Sequence, residues 1–488
     1  AQEIYTDNGP FDHPNKYFRQ NFLGRAYLKG ERWKWTLTTS SYAGFWNASN
    51  QIPASLVDSG TLSRFDAIDP SDGGQTQRHQ LTSRFDYQLN GHSKFFIEAY
   101  GVQYDLKLYS NFTFFLDDPV NGDQIQQTDH RQVFGYNSAY TRHDHFGSQR
   151  FETVVGNGLR FDHIHNSLSH TKQRQYINSI AENSILQMNP YFYFQETWIP
   201  THWFRAQIGS RFDLLNFQVQ DELGGGNEGH KTNFIISPKA NLTFIPFDFL
   251  EVFLNFGQGF HSNDARGVLN ATSPANTYAK STAAEFGVTG NWRDHLKLKT
   301  SFWWMDLNSE LVFVGDDGTT SPKGKSRRFG VETELQAKLL SWLSLDADFT
   351  YSHARFVNEP SNLNAIPLAP TWTLSAGISA DHPSGFYGSL RGRAISDRPA
   401  NEDRSLTATG FHVWDLKLGY QMKNRHWFGS DHAGIAFELN ALNLFNAQYR
   451  ESQFDTTSKP SPTSTPLTDV HFTPGYPLTI LGSTRLFF

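Results

Sequence analysis

Side chains that could do chemistry are few and widely spaced. His163, His165 and His170 lie close together, and a His-X-His pair could ligate a transition metal. In so polar a stretch, imidazoles more often serve as solvated loop residues. His143 and His145 flank Asp144 in what reads as a short turn. Arg266, Arg327 and Arg328 sit beside long loops. A planar guanidinium suits carboxylates and phosphates, so these three are candidate contacts for an anionic ligand. Anionic sugar headgroups or loop acids would satisfy them equally well. Asp316-Asp317-Gly318 could hold calcium, but it lacks the twelve-residue pattern of a calcium loop, and Asp-Gly is a common turn pair. Nucleophile elbows, phosphate-binding glycine loops and metallohydrolase motifs are all missing. The chain has no cysteine, which excludes disulfides, thiol catalysis and Cys-based zinc sites. No catalytic residue and no cofactor is expected, and the protein does not read as an enzyme.

Composition narrows the class. The 488 residues are 38% hydrophobic and 15% aromatic, and the net charge is -6. Such a balance argues against nucleic acid as a partner. Mean hydropathy is -0.52, and no apolar run reaches the roughly 20 residues of a helical membrane span. Many aromatic residues and glycines at modest hydropathy suit strands that face lipid on one side and water on the other.

The elements that must carry these side chains repeat with period two. Leu343, Leu345, Ala347 and Phe349 share one face, and Ser344, Asp346, Asp348 and Thr350 the other. Leu250, Val252, Leu254 and Phe256 oppose Glu251, Phe253, Asn255 and Gly257. Trp414, Leu416, Leu418 and Tyr420 oppose Asp415, Lys417 and Gly419. Full charges on the polar face suit a wet lumen better than a sandwich core. Trp33, Trp35, Trp303 and Trp304 read as interface or lumen packing residues.

About nineteen such strands are expected, beginning at Tyr17 and closing with one from Pro477. Short connections such as Leu89–His92 and Asp381–Gly385 alternate with long ones, among them 163–183, 260–277, 310–325 and 445–476. That alternation marks an outer-membrane barrel with its long loops outside. Residues 1–16 read as an outside loop. An odd strand count with an outside start implies missing strands, about three of a total near twenty-two. A gap or a parallel seam is then expected between 17–29 and 477–488. Ala1-Gln2-Glu3-Ile4 shows neither the basic start nor the apolar core of a secretory leader.

Several segments resemble the barrels of TonB-dependent outer-membrane receptors. They are Leu254-Asn255-Phe256-Gly257-Gln258-Gly259-Phe260-His261-Ser262-Asn263-Asp264-Ala265-Arg266-Gly267 and Glu438-Leu439-Asn440-Ala441-Leu442-Asn443-Leu444-Phe445-Asn446, with Tyr449 soon after. Tyr109–Thr113 and Trp303–Leu311 are similar too. The aromatic end Thr484-Arg485-Leu486-Phe487-Phe488 resembles the signal by which such barrels are recognised for assembly.

The resemblance implies an all-β transmembrane antiparallel barrel over residues 1–488, N-terminally incomplete and without the family's plug. It implies active uptake of a scarce nutrient, such as a ferric siderophore or another metal chelate. The TonB complex would supply energy through the plug, and the barrel would meet outer-membrane lipids and lipopolysaccharide. Two other readings stay open: a passive plugless porin, and an outer-membrane barrel hydrolase, which would need a Ser–His pair that the sequence does not signal.

Overall fold

The computed structural model describes residues 1–224, 228–270, 274–293, 295–314, 319–423 and 434–487. Its framework is one antiparallel sheet of twenty strands in which each strand pairs with the next in the chain. The strands are Gln2–Asp7, Tyr17–Lys29, Trp33–Asn47, Gly73–Asn90, Ser93–Ser110, Ile125–Phe146, Gln149–Lys172, Gln175–Thr201, Phe204–Asp221 and Gly229–Phe247. They continue with Leu250–Ser262, Tyr278–Trp292, Leu296–Leu307, Ser326–Leu340, Leu343–Phe356, Trp372–Asp381, Phe386–Ile395, Phe411–Lys423, Gly434–Leu442 and Thr479–Phe487.

Nineteen of these are the expected strands, with shifted ends. The twentieth corrects the reading of residues 1–16 as a loop. Gln2–Asp7 pairs with Tyr17–Phe22, Gln2 opposite Phe22 and Asp7 opposite Tyr17. Its six residues are too few to declare an apolar face, so the pattern passed unseen. Twenty is even, so the parity argument for missing strands lapses. The open edges are therefore Gln2–Asp7 and Thr479–Phe487, and among the described residues no ladder joins them. At the loop end, Tyr476, just before the last strand, donates its hydroxyl to Asp7 Oδ2 at 2.7 Å. The expected strand near Asp431 begins, among the described residues, at Gly434. Asp316, Asp317 and Gly318 lie outside the described residues.

Connections at one end are short, as at Gly91-His92, Gly147-Ser148, His202-Trp203, Asp248-Phe249 and Ser341-Trp342. Among the described residues the long connections fall at the other end. The expected loop 163–183 is instead a continuous hairpin, closed by Gln173 and Arg174 at φ 51° and 65°. Two successive left-handed residues are what a tight antiparallel turn of matching twist requires. His143 and His145 likewise lie within a strand, with His143 Nδ1 3.5 Å from Glu152.

The period-two faces hold. Phe302 is 55% exposed and Ile208 59%, and both lie on the outward, convex face. The concave face carries charges that pair across strands. Arg391 donates to both oxygens of Asp346, at 3.0 and 2.5 Å, across Gly377 of the intervening strand. A Cβ at Gly377 would stand 3.0 Å from Arg391 Cγ, so the small residue leaves the guanidinium its path. Lys297 meets Glu334 at 3.4 Å and Lys417 meets Glu438 at 2.6 Å on the same face.

Leu345→Arg, on the outward face, should destabilise the barrel in a bilayer by about 2–4 kcal/mol. Asp346→Asn weakens one solvent-reachable pair and should cost under about 1 kcal/mol. Urea unfolding in a defined bilayer measures both, and equal effects would mean that the faces of this strand are exchanged.

Candidate functional site

At the long-loop end the connections fold on one another around three small apolar cores. The short helix Ala265–Val268 leans into the concave side, where Ala265 and Val268 pack on Ile164, Ile185, Leu215, Phe217 and Val219. Ile52 and Ala54 of the 48–72 loop pack against Phe472. Val470 packs between Ala400 and Ala408.

The hairpin Arg450–Ser458/Leu467–Pro474 ties the second and third of these together through Phe472 and Val470. It pairs with Ile52 and Pro53, from the opposite end of the sheet. Lys459 exchanges backbone hydrogen bonds with Thr113 and Phe115, at 2.9 and 3.1 Å. Beneath it the 48–72 and 111–124 loops share a polar knot. Asp72, fully buried, accepts from Asn50, from the Asn111 amide at 3.1 Å and from Gln124 Nε2 at 2.9 Å. Burial, and the nearby charge of Asp69, push the Asp72 carboxyl well above the usual carboxylate range.

A collar of guanidinium and aromatic groups surrounds Tyr449 at this mouth. Tyr449 is 7% exposed and its ring stacks on Gly475, where a Cβ would meet ring carbon at 2.0 Å. Phe411, from the concave wall, lies 4.9 Å from that ring. Arg393, also on the concave wall, donates to the Tyr449 hydroxyl at 3.3 Å and to both Glu451 oxygens at 3.0 and 2.9 Å. Arg64 donates to the Tyr449 carbonyl at 2.9 Å, and its Nε is buried without a partner. Arg450 covers the Phe472 ring at 4.5 Å, and its carboxylate neighbour Asp58 is 3.8 Å away. Burial lowers the pKa of Arg64, and the neighbouring charge of Arg450 adds to the effect. Positive charge is thus concentrated where carboxylates only partly balance it, an arrangement that favours an incoming anion.

The sequence-based candidates are not brought together. Arg266 forks onto its own neighbour Asp264, at 3.0 and 2.6 Å. Burial alone would raise Asp264, but the Arg266 guanidinium holds it below the usual carboxylate range. Arg327 lies on the outward face bound to Asp306, while Arg328 lies on the concave face with Ser326 Oγ at 3.0 Å. His163 and His165 share the outward face, with His165 Nε2 3.2 Å from Glu182. His170 lies on the opposite face and hydrogen-bonds the Gly122 carbonyl at 2.6 Å. Among the described residues no three His, Asp or Glu side chains are placed to hold a metal ion. Arg64, Arg393 and Arg450 escaped the sequence reading because they come from three distant segments with no common spacing. Tyr449 alone had a signal, its place after the Leu442-Asn443-Leu444-Phe445-Asn446 segment.

Three Ser–His pairs exist among the described residues: Ser41 Oγ lies 2.9 Å from His79 Nδ1 on neighbouring strands, Ser384 Oγ lies 2.8 Å from His382 Nδ1 in a short turn, and the third is buried. Ser458 Oγ lies 2.9 Å from His471 Nε2, and both residues are 0% exposed. His471 is flanked by the rings of Phe114 and Phe454, at 6.1 and 5.9 Å, and its Nδ1 faces the Asp469 carbonyl at 3.3 Å. Sealed in this way the pair is a packing element of the hairpin.

Long strands with a two-sided face pattern, short turns at one end and a loop-built basic mouth at the other define an outer-membrane barrel of the ligand-capturing kind. The match to known proteins makes the class specific. Residues 5–447 match the family model described as TonB dependent receptor-like, beta-barrel, and the chain belongs to that family. Its members are outer-membrane proteins and transporters rather than enzymes. The unliganded ferric citrate transporter FecA superposes with a TM-score of 0.80 at 16% identity, over 98% of this chain and 71% of that one. The ferric-catecholate import receptor Fiu from E. coli K12, in its closed form, gives 0.74 at 16%, over 100% and 76%. The ferric preacinetobactin receptor BauA from Acinetobacter baumannii gives 0.74 at 13%, over 99% and 74%. No curated protein sequence matches the chain.

Burial lowers the His471 pKa below its usual value, against the opposing pull of Asp469. The docked hairpin therefore holds the imidazole neutral, while an undocked one takes up a proton below about pH 6.5. Docking should be full above that pH and weaken as pH falls, by at most about tenfold per pH unit. Protection factors of the 450–474 amides, measured by hydrogen exchange from pH 8 to 5, will show this. His471→Gln should remove the pH dependence, and its persistence in that variant would assign the effect elsewhere.

Proposed function

We propose that this barrel serves active uptake of a scarce nutrient, an anionic metal chelate such as a ferric siderophore, across the outer membrane with energy from TonB. The long-loop end faces outward from the cell, and the convex face meets lipid and lipopolysaccharide. The observation that carries the ligand class is the partly uncompensated collar of Arg64, Arg393 and Arg450 around Tyr449. Guanidinium groups on aromatic supports bind carboxylate- or catecholate-bearing chelates through charge-assisted forks. The ligand names of the similar structures agree with this class. Of the sequence-based candidates, Arg266, Arg328 and His170, on the concave side, are secondary contacts in this reading, whereas Arg327, His163 and His165 face outward from the barrel.

Uptake of radioactive iron presented as ferric citrate or as a ferric catecholate chelate, in cells with and without TonB, tests the proposal. Accumulation should require TonB. Arg64→Ala combined with Arg450→Ala should weaken chelate binding by about tenfold or more. Uptake that is unchanged without TonB would make the protein a passive porin instead. Orientation is checked separately: Asn362→Cys should react with an impermeant thiol reagent on intact cells, and Gly147→Cys should not.

A further inference from the structure

A second recess opens at the loop end, on the concave side, where the first strands of the sheet meet Tyr476. Its volume is about 620 Å³, which falls within the size range of small-molecule sites. Tyr5, Phe11, Tyr17, Tyr42, Trp46 and Tyr476 supply its aromatic walls. Strand register aligns them. Tyr5 stands across from Arg19, and Arg19 across from Gly44, which lies between Tyr42 and Trp46. The Tyr42 hydroxyl leans over Gly44, 2.9 Å from where a Cβ would be. Trp46 rests on Gly74, whose absent Cβ would stand 3.2 Å from the ring. Tyr5 and Tyr17 meet edge to face at 6.0 Å. Gly9, at φ 65°, turns the chain so that Phe11 closes over it, and a Cβ there would stand 2.8 Å from the Phe11 ring.

The polar atoms of the recess call for donors. Ser49 is 6% exposed, and its Oγ has no partner among the described residues. The same holds for Asn15 Oδ1 and Gln51 Oε1, both buried. All three residues line the recess. A buried oxygen without a donor bears its full desolvation cost. Backbone contacts hold Asn15 in place: its amide donates to the Asn8 carbonyl at 2.9 Å, and its carbonyl accepts from the Asn47 amide at 2.7 Å. Among the described residues no lysine, arginine or histidine lines the recess. Its carboxylate, Asp7, already accepts from the Tyr5 hydroxyl at 3.1 Å, the Tyr476 hydroxyl at 2.7 Å and the Gly9 amide at 2.8 Å. An anion finds no counter-charge here, and a cation must compete with three donors for Asp7. The fitting ligand is neutral, rich in hydroxyl donors and flat on one side.

We propose that this recess binds a neutral oligosaccharide. The carbon-bound hydrogens on one side of a pyranose ring pack on the face of Trp46 and on the tyrosines, and its hydroxyls donate to Asn15, Ser49 and Gln51. Each of the three oxygens then gains the donor that the protein does not supply. The site is distinct from the Tyr449 collar, whose guanidinium groups suit an anion. The two adjoin, because Tyr476 directly follows Gly475, on which Tyr449 stacks. The inference goes beyond the uptake reading and does not depend on TonB.

The test is isothermal titration calorimetry of the purified full chain in a sugar-free detergent, with neutral trisaccharides of glucose, of galactose and of mannose titrated separately. At least one should bind, and its uronic-acid counterpart should bind about tenfold more weakly. Trp46→Ala should weaken the bound trisaccharide by about tenfold or more, while Trp46→Phe should keep most of the affinity. Gln51→Leu removes an oxygen that has no partner, so it should weaken binding by about fivefold without lowering the unfolding temperature. Heat-modifiable migration in gels verifies that each variant is folded. Binding by none of the three sugars overturns the proposal, as does equal binding by the wild type and Trp46→Ala. Choline binding in place of the sugars would make the recess an aromatic cation cage and overturn it too. If Arg64→Ala/Arg450→Ala abolishes sugar binding and Trp46→Ala does not, the sugar sits at the collar. This inference then fails alone, and the uptake reading stands or falls on the iron measurements.

Discussion

In hydrocarbon an amide without a partner costs several kcal/mol, and no water is there to relieve it. Everything else in this chain accommodates that demand. Twenty strands satisfy one another in chain order, and among the described residues the turns at one end shrink to a few residues. The one place where the ladder stops, between Gln2–Asp7 and Thr479–Phe487, is spanned at the loop end by a side-chain hydrogen bond from Tyr476 to Asp7.

The same demand explains where charge can go. On the concave face, water and opposite-sign neighbours support Asp346 with Arg391 and Lys417 with Glu438. On the convex face of the five strands from Tyr278–Trp292 to Trp372–Asp381, charge is absent from the rows between Leu296 and Trp304 and returns at Asp306, Arg327 and Arg355. Strands of 22, 24 and 27 residues rise beyond that height. There both faces are wet, so His130, His163 and His165 point outward without penalty.

Above the sheet the loops are held by small contacts of high specificity rather than by one large core. The 450–474 hairpin touches loops from both ends of the chain, with His471 sealed between Phe114 and Phe454. Tyr449 at its root draws Arg64 and Arg393 together from segments more than three hundred residues apart in sequence, as the separation of their hydrogen-bonded partners shows. A mouth assembled in this way can change its chemistry by loop exchange while the ladder beneath stays intact.

Alternation was legible wherever a strand has lipid on one side, because each residue then reports its face by polarity alone. Leu343–Phe349 and Leu250–Gly257 were read correctly for that reason. Gln2–Asp7 and the hairpin around Gln173 and Arg174 were not, since a short or doubly wet strand has no polarity rule to obey. The separation of Arg327 from Arg328, and of His170 from His163 and His165, follows from one residue of register, which a local list of basic side chains does not contain. Sequence by itself determined the period, the class of barrel and the end that carries the loops, all of which follow from local contrast between lipid and water. Only the tertiary structure decided which charges meet, because the Tyr449 collar and the Asp306–Arg327–Arg355 row are made by strand neighbours and loop docking, and neither is encoded in spacing along the chain.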